Sequence, residues 1–147
     1  MKSKLNATIH QGMIGEGSSV AVPGYIFIHR WANTNALYFQ YSDGVTSRDT
    51  NFSNFFLSLD DQYIHIVLVC DYTNKTLKAY RNGVQFEATQ NLINPLFPSA
   101  NRVKYIGAFS SSANRLTDGS LDEVRIYNRG LSAEEIAAKY NQTKGRY

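Results

Sequence analysis

Apolar residues along the chain gather in short runs separated by turn formers. Residues 6–14 open as a mixed run and meet Gly15-Glu16-Gly17. Residues 25–31, Tyr-Ile-Phe-Ile-His-Arg-Trp, follow Pro23-Gly24 and predict a strand; residues 36–41, Ala-Leu-Tyr-Phe-Gln-Tyr, predict another. Asp43-Gly44 is a two-residue hairpin signal. Residues 49–54 are polar and Asn-rich, after which 55–59, Phe-Phe-Leu-Ser-Leu, resume strand character. Residues 63–71 are apolar at almost every position and predict a central strand buried on both faces. Residues 75–81 and 84–88 flank Asn82-Gly83, the strongest hairpin signal in the chain. Residues 103–109 and 121–128 complete nine predicted strands.

The last of these runs leads into the chain's helix signal. Leu121, Val124, Ile126 and Tyr127 are β-prone, Arg125 and Asn128 interrupt them, and Gly130 breaks the run. Ser132 then stands three residues before Glu135, the spacing at which hydroxyl and carboxylate satisfy free amides at a helix start. Leu131, Ile136 and Tyr140 supply an apolar stripe, and Glu135 with Lys139 an i,i+4 pair. Many short strands and one short terminal helix predict an all-β, two-sheet antiparallel sandwich as a single domain over residues 1–147. No internal repeat is present.

Composition narrows the function classes. At 43% hydrophobic the chain can bury a core, and ten Tyr with eight Phe suit both strands and stacking surfaces. The net charge of +3 comes from scattered Lys and Arg, which gives no nucleic-acid footprint. No run approaches the ~18 apolar residues that predict a membrane span, and Met1-Lys-Ser-Lys-Leu-Asn6 leads into no apolar signal core. Cys70 is the lone cysteine, so an intramolecular disulfide is excluded; inside its apolar run it reads as a small buried hydrophobe.

The segment Gly119-Ser-Leu-Asp-Glu-Val-Arg-Ile-Tyr-Asn-Arg-Gly-Leu-Ser-Ala-Glu-Glu-Ile136 resembles the closing strand and helix of the concanavalin A-like lectin/glucanase superfamily, in its laminin-G-like branch. Tyr63-Ile-His-Ile-Val-Leu-Val-Cys-Asp-Tyr72 is similar to that family's central strand, Thr76-Leu-Lys-Ala-Tyr-Arg-Asn-Gly-Val84 to its following hairpin, and Tyr105-Ile-Gly107 to the strand before the closing one. The resemblance implies a jelly-roll sandwich and an extracellular or surface setting. Thr8-Ile9 aligns with a family strand that an opening strand normally precedes, so an unfilled sheet edge is expected, open to pairing with a second copy.

The family includes glucanases, which use alternating acids on one strand. Retaining hydrolysis needs two carboxyls about 5 Å apart. Asp60-Asp61, Asp122-Glu123 and Glu134-Glu135 are adjacent pairs, and neighbours on a strand face opposite ways. His10, His29 and His65 are isolated and read as strand residues. The expectation is a non-enzyme that binds carbohydrate or a glycoprotein surface, the competing assignment being a structural or assembly subunit. Aromatic rings stack on sugar faces while Asn, Asp and Arg bond hydroxyls. The candidate ligand-binding residues are therefore Trp31, Asn33, Asn35, Tyr38, Tyr41, Arg48, Asp49, Asn51, Phe52 and Asn54. For each aromatic the alternative is an inward-facing core position. The resemblance further implies calcium, with Asp122 in the position of a ligand. Asn-x-Ser/Thr sequons occur at Asn6, Asn51, Asn74 and Asn141 and are read as a product of composition.

Overall fold

A computed structural model describes residues 11–16, 25–31, 33–59, 62–95, 103–108 and 116–146. The strands are β1 (Gln11–Glu16), β2 (Ile26–Arg30), β3 (Leu37–Ser42), β4 (Ser47–Phe52), β5 (Ile66–Asp71), β6 (Thr76–Arg81), β7 (Val84–Asn91) and β8 (Lys104–Ile106). They form a five-stranded sheet of order β4-β3-β2-β1-β8 and a three-stranded sheet β5-β6-β7. All named ladders are antiparallel. The result is the expected jelly-roll type of sandwich, to which the described residues add one helix, α1 (Ala133–Thr143), and a 3₁₀ turn at Lys144–Arg146.

Alternation places the core. On β3, Leu37, Phe39 and Tyr41 point inward, while Tyr38 and Gln40 lie on the opposite face. Phe52, Met13, Leu77 and Ala79 join them, with Ile26, Ile28, Ile66, Leu68 and Cys70 packed at the margin. Burial pushes the Cys70 thiol up to about 11, which keeps it protonated and inert at neutral pH.

Four sequence expectations change. Residues 49–54, read as a polar connection, lie mostly in β4, a sheet-edge strand whose outward Ser47, Asp49 and Asn51 face water. Residues 55–59 form turns instead of a strand, with Asn54 and Ser58 at positive φ. That geometry aims the neighbours Phe55 and Phe56 both into the core, which a strand cannot do. β5 is the end strand of its sheet, not a central one. Residues 121–127 carry no strand. Residues 6–10 of the expected first run, His10 among them, lie outside the described residues.

Two turns show how local chemistry sets register. At Asn82-Gly83 both φ angles are positive, 51° and 82°, as a two-residue hairpin turn requires. The β3–β4 connection is four residues long, not two. Asp43 holds it by accepting from the Val45 and Thr46 amides at 2.9 and 2.7 Å and from Arg48 Nε at 2.7 Å. Those bonds hold the Asp43 carboxyl down to about 2.

The helix begins on a complete capping box: the Glu135 amide donates to Ser132 Oγ (3.2 Å), and the Ser132 amide to Glu135 Oε2 (2.8 Å). Arg129 adds two bonds to the same carboxylate, so Arg129, not Lys139, is the ion-pair partner of Glu135; Lys139 lies over the Tyr127 ring. Leu131 and Ile136 cover Tyr80, Val67 and Val69 on the outer side of the three-stranded sheet. The bonds from Arg129 and from the Ser132 amide hold the Glu135 carboxyl down to about 2, from its ordinary 4.5. A depressed folded-state value means stability that is complete above pH 4.5 and is lost as pH falls toward 2. In acid titrations followed by far-ultraviolet circular dichroism, Glu135→Gln is therefore expected to be less stable than wild type at pH 7, with the gap closing toward pH 2. A gap independent of pH would refute the role given to the carboxylate.

Candidate functional site

The β2–β3–β4 register builds a surface on the face of the five-stranded sheet turned away from the core. His29 pairs with Tyr38, and Tyr38 with Asn51; one step along, Phe27 pairs with Gln40, and Gln40 with Asp49. Trp31, just past the end of β2, closes over the first row. Its ring lies 5.5 Å from that of Tyr38 and 5.7 Å from that of His29, and His29 and Tyr38 are themselves 5.5 Å apart. His29 is buried beneath, whereas Trp31 is 42% exposed.

The loop that carries Trp31 is braced from behind. Thr34 donates through its amide and hydroxyl to the Trp31 carbonyl at 3.2 and 3.0 Å. Arg30, 3% exposed, donates through Nε to the Thr34 carbonyl (2.8 Å) and through Nη2 to Asn35 Oδ1 (3.1 Å), with its guanidinium over the Phe56 ring. The Phe56 amide in turn donates to the Asn35 carbonyl at 2.8 Å. A buried charge needs such compensation; here it also fixes the loop.

The candidates from the sequence divide accordingly. Trp31, Tyr38, Asp49 and Asn51 share the outer face. Tyr41 and Phe52 are buried in the core and present nothing to a ligand; the Tyr41 hydroxyl accepts from the Ile93 amide at 2.8 Å. Arg48 is engaged by Asp43, and Asn35 by Arg30. Asn33 and Asn54 are exposed turn residues at positive φ. Gln40 lies on the same face and was not among the candidates, the period-two offset from Tyr38 being its signal, while His29 supports the two rings from beneath.

Asp122 is the residue that the resemblance puts in the position of a calcium ligand. It is exposed, its Oδ1 accepts from the Glu123 amide at 2.7 Å, and among the described residues no group of three or more His, Cys, Asp or Glu side chains is placed to hold a metal.

A laminin-G family model, described as the concanavalin A-like lectin/glucanases superfamily, matches residues 4–137. The chain belongs to that superfamily. Among solved structures it is similar to the Ruminococcus gnavus IT-sialidase CBM40, with a TM-score of 0.67 at 18% identity over 91% of this chain and 76% of that one. The same module bound to α2,3-sialyllactose gives 0.68 at 18% identity over 95% of this chain and 78% of that one. The receptor-binding domain of botulinum neurotoxin type G gives 0.62 at 13% identity, over 95% of this chain but 33% of that one. These likenesses are of fold. Among curated proteins, none matches the sequence.

Proposed function

We propose that this superfamily member is a non-catalytic carbohydrate-binding module whose ligand lies on the outer face of the five-stranded sheet, against Trp31, Tyr38 and Asn51. The supporting observation is the exposed Trp31 ring, held against Tyr38 and followed by an exposed amide on the same row. An aromatic wall takes the apolar C–H face of a sugar, and the Asn51 amide offers a donor and an acceptor to adjacent hydroxyls. Structures of the CBM40 neighbour carry α2,3- and α2,6-sialyllactose, which supports a glycan as the ligand class. Here the next row carries Asp49, exposed on the same face. A carboxylate there opposes an acidic sugar, so the reading is of a neutral glycan. The Asp122 side chain plays no part in it.

The test is a glycan array followed by titration calorimetry on the best ligand. Trp31→Ala is expected to weaken binding at least about tenfold, about 1.4 kcal/mol, with the thermal midpoint almost unchanged because the ring is largely exposed. Asn51→Ala should weaken binding less. Neutral oligosaccharides should outrank their sialylated forms. Undiminished binding by both variants, or no binding to any glycan, would refute the assignment; the latter together with a concentration-dependent oligomer would favour an assembly role.

A further inference from the structure

His65 stands where three pieces of the chain meet, just ahead of β5. Its carbonyl accepts from the Asn82 amide at 2.9 Å, and its amide donates to Asn82 Oδ1 at 3.0 Å, so the residue is pinned to the β6–β7 turn. Its half-buried imidazole meets the Tyr140 ring of α1, the ring centres 5.9 Å apart. Tyr140 in turn sits over Gly83 of the same turn, where a Cβ would stand 3.0 Å from it. The second half of the helix therefore rests on a platform made of His65 and the turn.

That platform suits a neutral imidazole. His65 Nδ1 is buried and makes no hydrogen bond among the described residues, so the single proton of the neutral ring belongs on Nε2. Protonation would put a donor on Nδ1 with no acceptor and a charge in a half-dry site, and both cost free energy. Burial accordingly pushes the His65 imidazole below its ordinary 6.5, and the charge of Glu123 opposes that shift without cancelling it. Glu123 is a poor counter-ion because both its oxygens are engaged. Oε2 accepts from Arg125 Nη2 at 3.0 Å, and Oε1 from Arg146 Nη1 at 2.5 Å. From β6, Arg81 turns away to the Phe55 carbonyl and the core rings. On α1 and just past it the charges are Lys139, over the Tyr127 ring, and Lys144, exposed one turn beyond Tyr140. None of these cations favours a charged imidazole.

We propose that His65 is an acid-sensitive latch for α1: the neutral ring holds the helix on the three-stranded sheet, and its protonation releases the helix and uncovers Val67, Val69 and Tyr80. In a released state the imidazole regains its ordinary value, so the docked state binds fewer protons. Docking is therefore complete above 6.5 and weakens as pH falls below it. The Glu135 carboxylate at the helix start titrates lower, between 4.5 and about 2, and does not share this window. The Trp31 surface lies on the outer face of the other sheet, away from α1, and release leaves it as it is.

The test is amide hydrogen exchange of the full chain at about pH 7.5 and about pH 5, corrected for the intrinsic effect of pH on exchange, together with an imidazole titration by nuclear magnetic resonance. The α1 amides are expected to open at least about threefold more often at the lower pH, while those of β2 and β3 keep their protection. His65→Phe keeps a ring against Tyr140 but has no proton to gain, and should abolish the pH effect. The His65 midpoint should lie below 6.5. Arg146→Gln frees a Glu123 oxygen for the imidazolium and should raise that midpoint, a response that a residue of purely structural role would not give. Helix protection indifferent to pH, a wild-type pH response in His65→Phe, or a midpoint at or above 6.5 would overturn the proposal. So would equal loss of protection in α1, β2 and β3, which is acid unfolding of the whole domain. Should His65→Phe fail to fold, the titrations of the wild type and of Arg146→Gln decide alone.

Discussion

Replacing Phe55 with alanine is expected to destabilise the domain by about 3–5 kcal/mol, the range for emptying a packed aromatic site. The ring is fully buried, meeting Phe56 edge-on at 5.1 Å and Phe86 at 5.0 Å. Arg81 lies over both Phe55 and Phe86 and donates through Nη1 to the Phe55 carbonyl at 2.7 Å. Truncation would thus open a cavity, strip two aromatic contacts and leave the guanidinium over one ring. The surroundings cannot readily collapse, because the flanking Phe56 is tied to Asn35 through its amide. Domains of this size are stable by roughly 5–15 kcal/mol, so a fifth or more of the total is at stake. Urea unfolding should show a lowered midpoint with an unchanged slope. Leu57→Ala is the control: two residues away and 52% exposed, it should cost within about 0.5 kcal/mol. Equal costs for the two variants would show that the turn is not a core element.

Gly83→Ala is the second large effect, expected at about 2–5 kcal/mol from two separable causes. Gly83 holds φ +82°, where a Cβ costs roughly 1–2 kcal/mol. That Cβ would also stand 3.0 Å from both Cβ and Cδ1 of Tyr140, part of the chain's own helix, and overpacking adds about 1–3 kcal/mol. Tyr140 is further engaged by the His65 ring at 5.9 Å, which limits its retreat. A double-mutant cycle separates the causes: in a Tyr140→Ala background the cost of Gly83→Ala should fall to the backbone component. Strict additivity would mean that the helix does not bear on the turn.

What could be read from the sequence was what neighbouring residues decide among themselves. Asn82-Gly83 and Ser132-x-x-Glu135 specify their turn and cap by local bonding, and both form as read. β5 was misread because apolar residues at successive positions report two covered faces, here the core and α1, and say nothing of whether a strand lies on either edge. β4 was hidden by its wet face. Phe55 and Phe56 looked like a strand because composition cannot show that both rings point one way. The candidate surface was half legible for the same reason. Trp31 and Tyr38 could be named as stacking residues, but their union with Asn51, and the removal of Tyr41 and Phe52 to the core, depend on cross-strand register. Segment 121–127 carries a strand's residues without a strand's bonds, since a ladder needs a neighbour that sequence propensity does not supply.

The buried guanidinium of Arg30 bears on how a ligand would be met. Because it ties the Thr34 carbonyl and the Asn35 side chain to the Phe56 ring, the turn bearing Trp31 is shaped by the fold and not by its visitor. On the proposed function, a surface held in one form would give up little freedom on association, so that even weak contacts with a sugar would register as net affinity. Discrimination would then rest on shape and on the reach of each hydroxyl, because the braced loop offers a poorly matched ring no second arrangement.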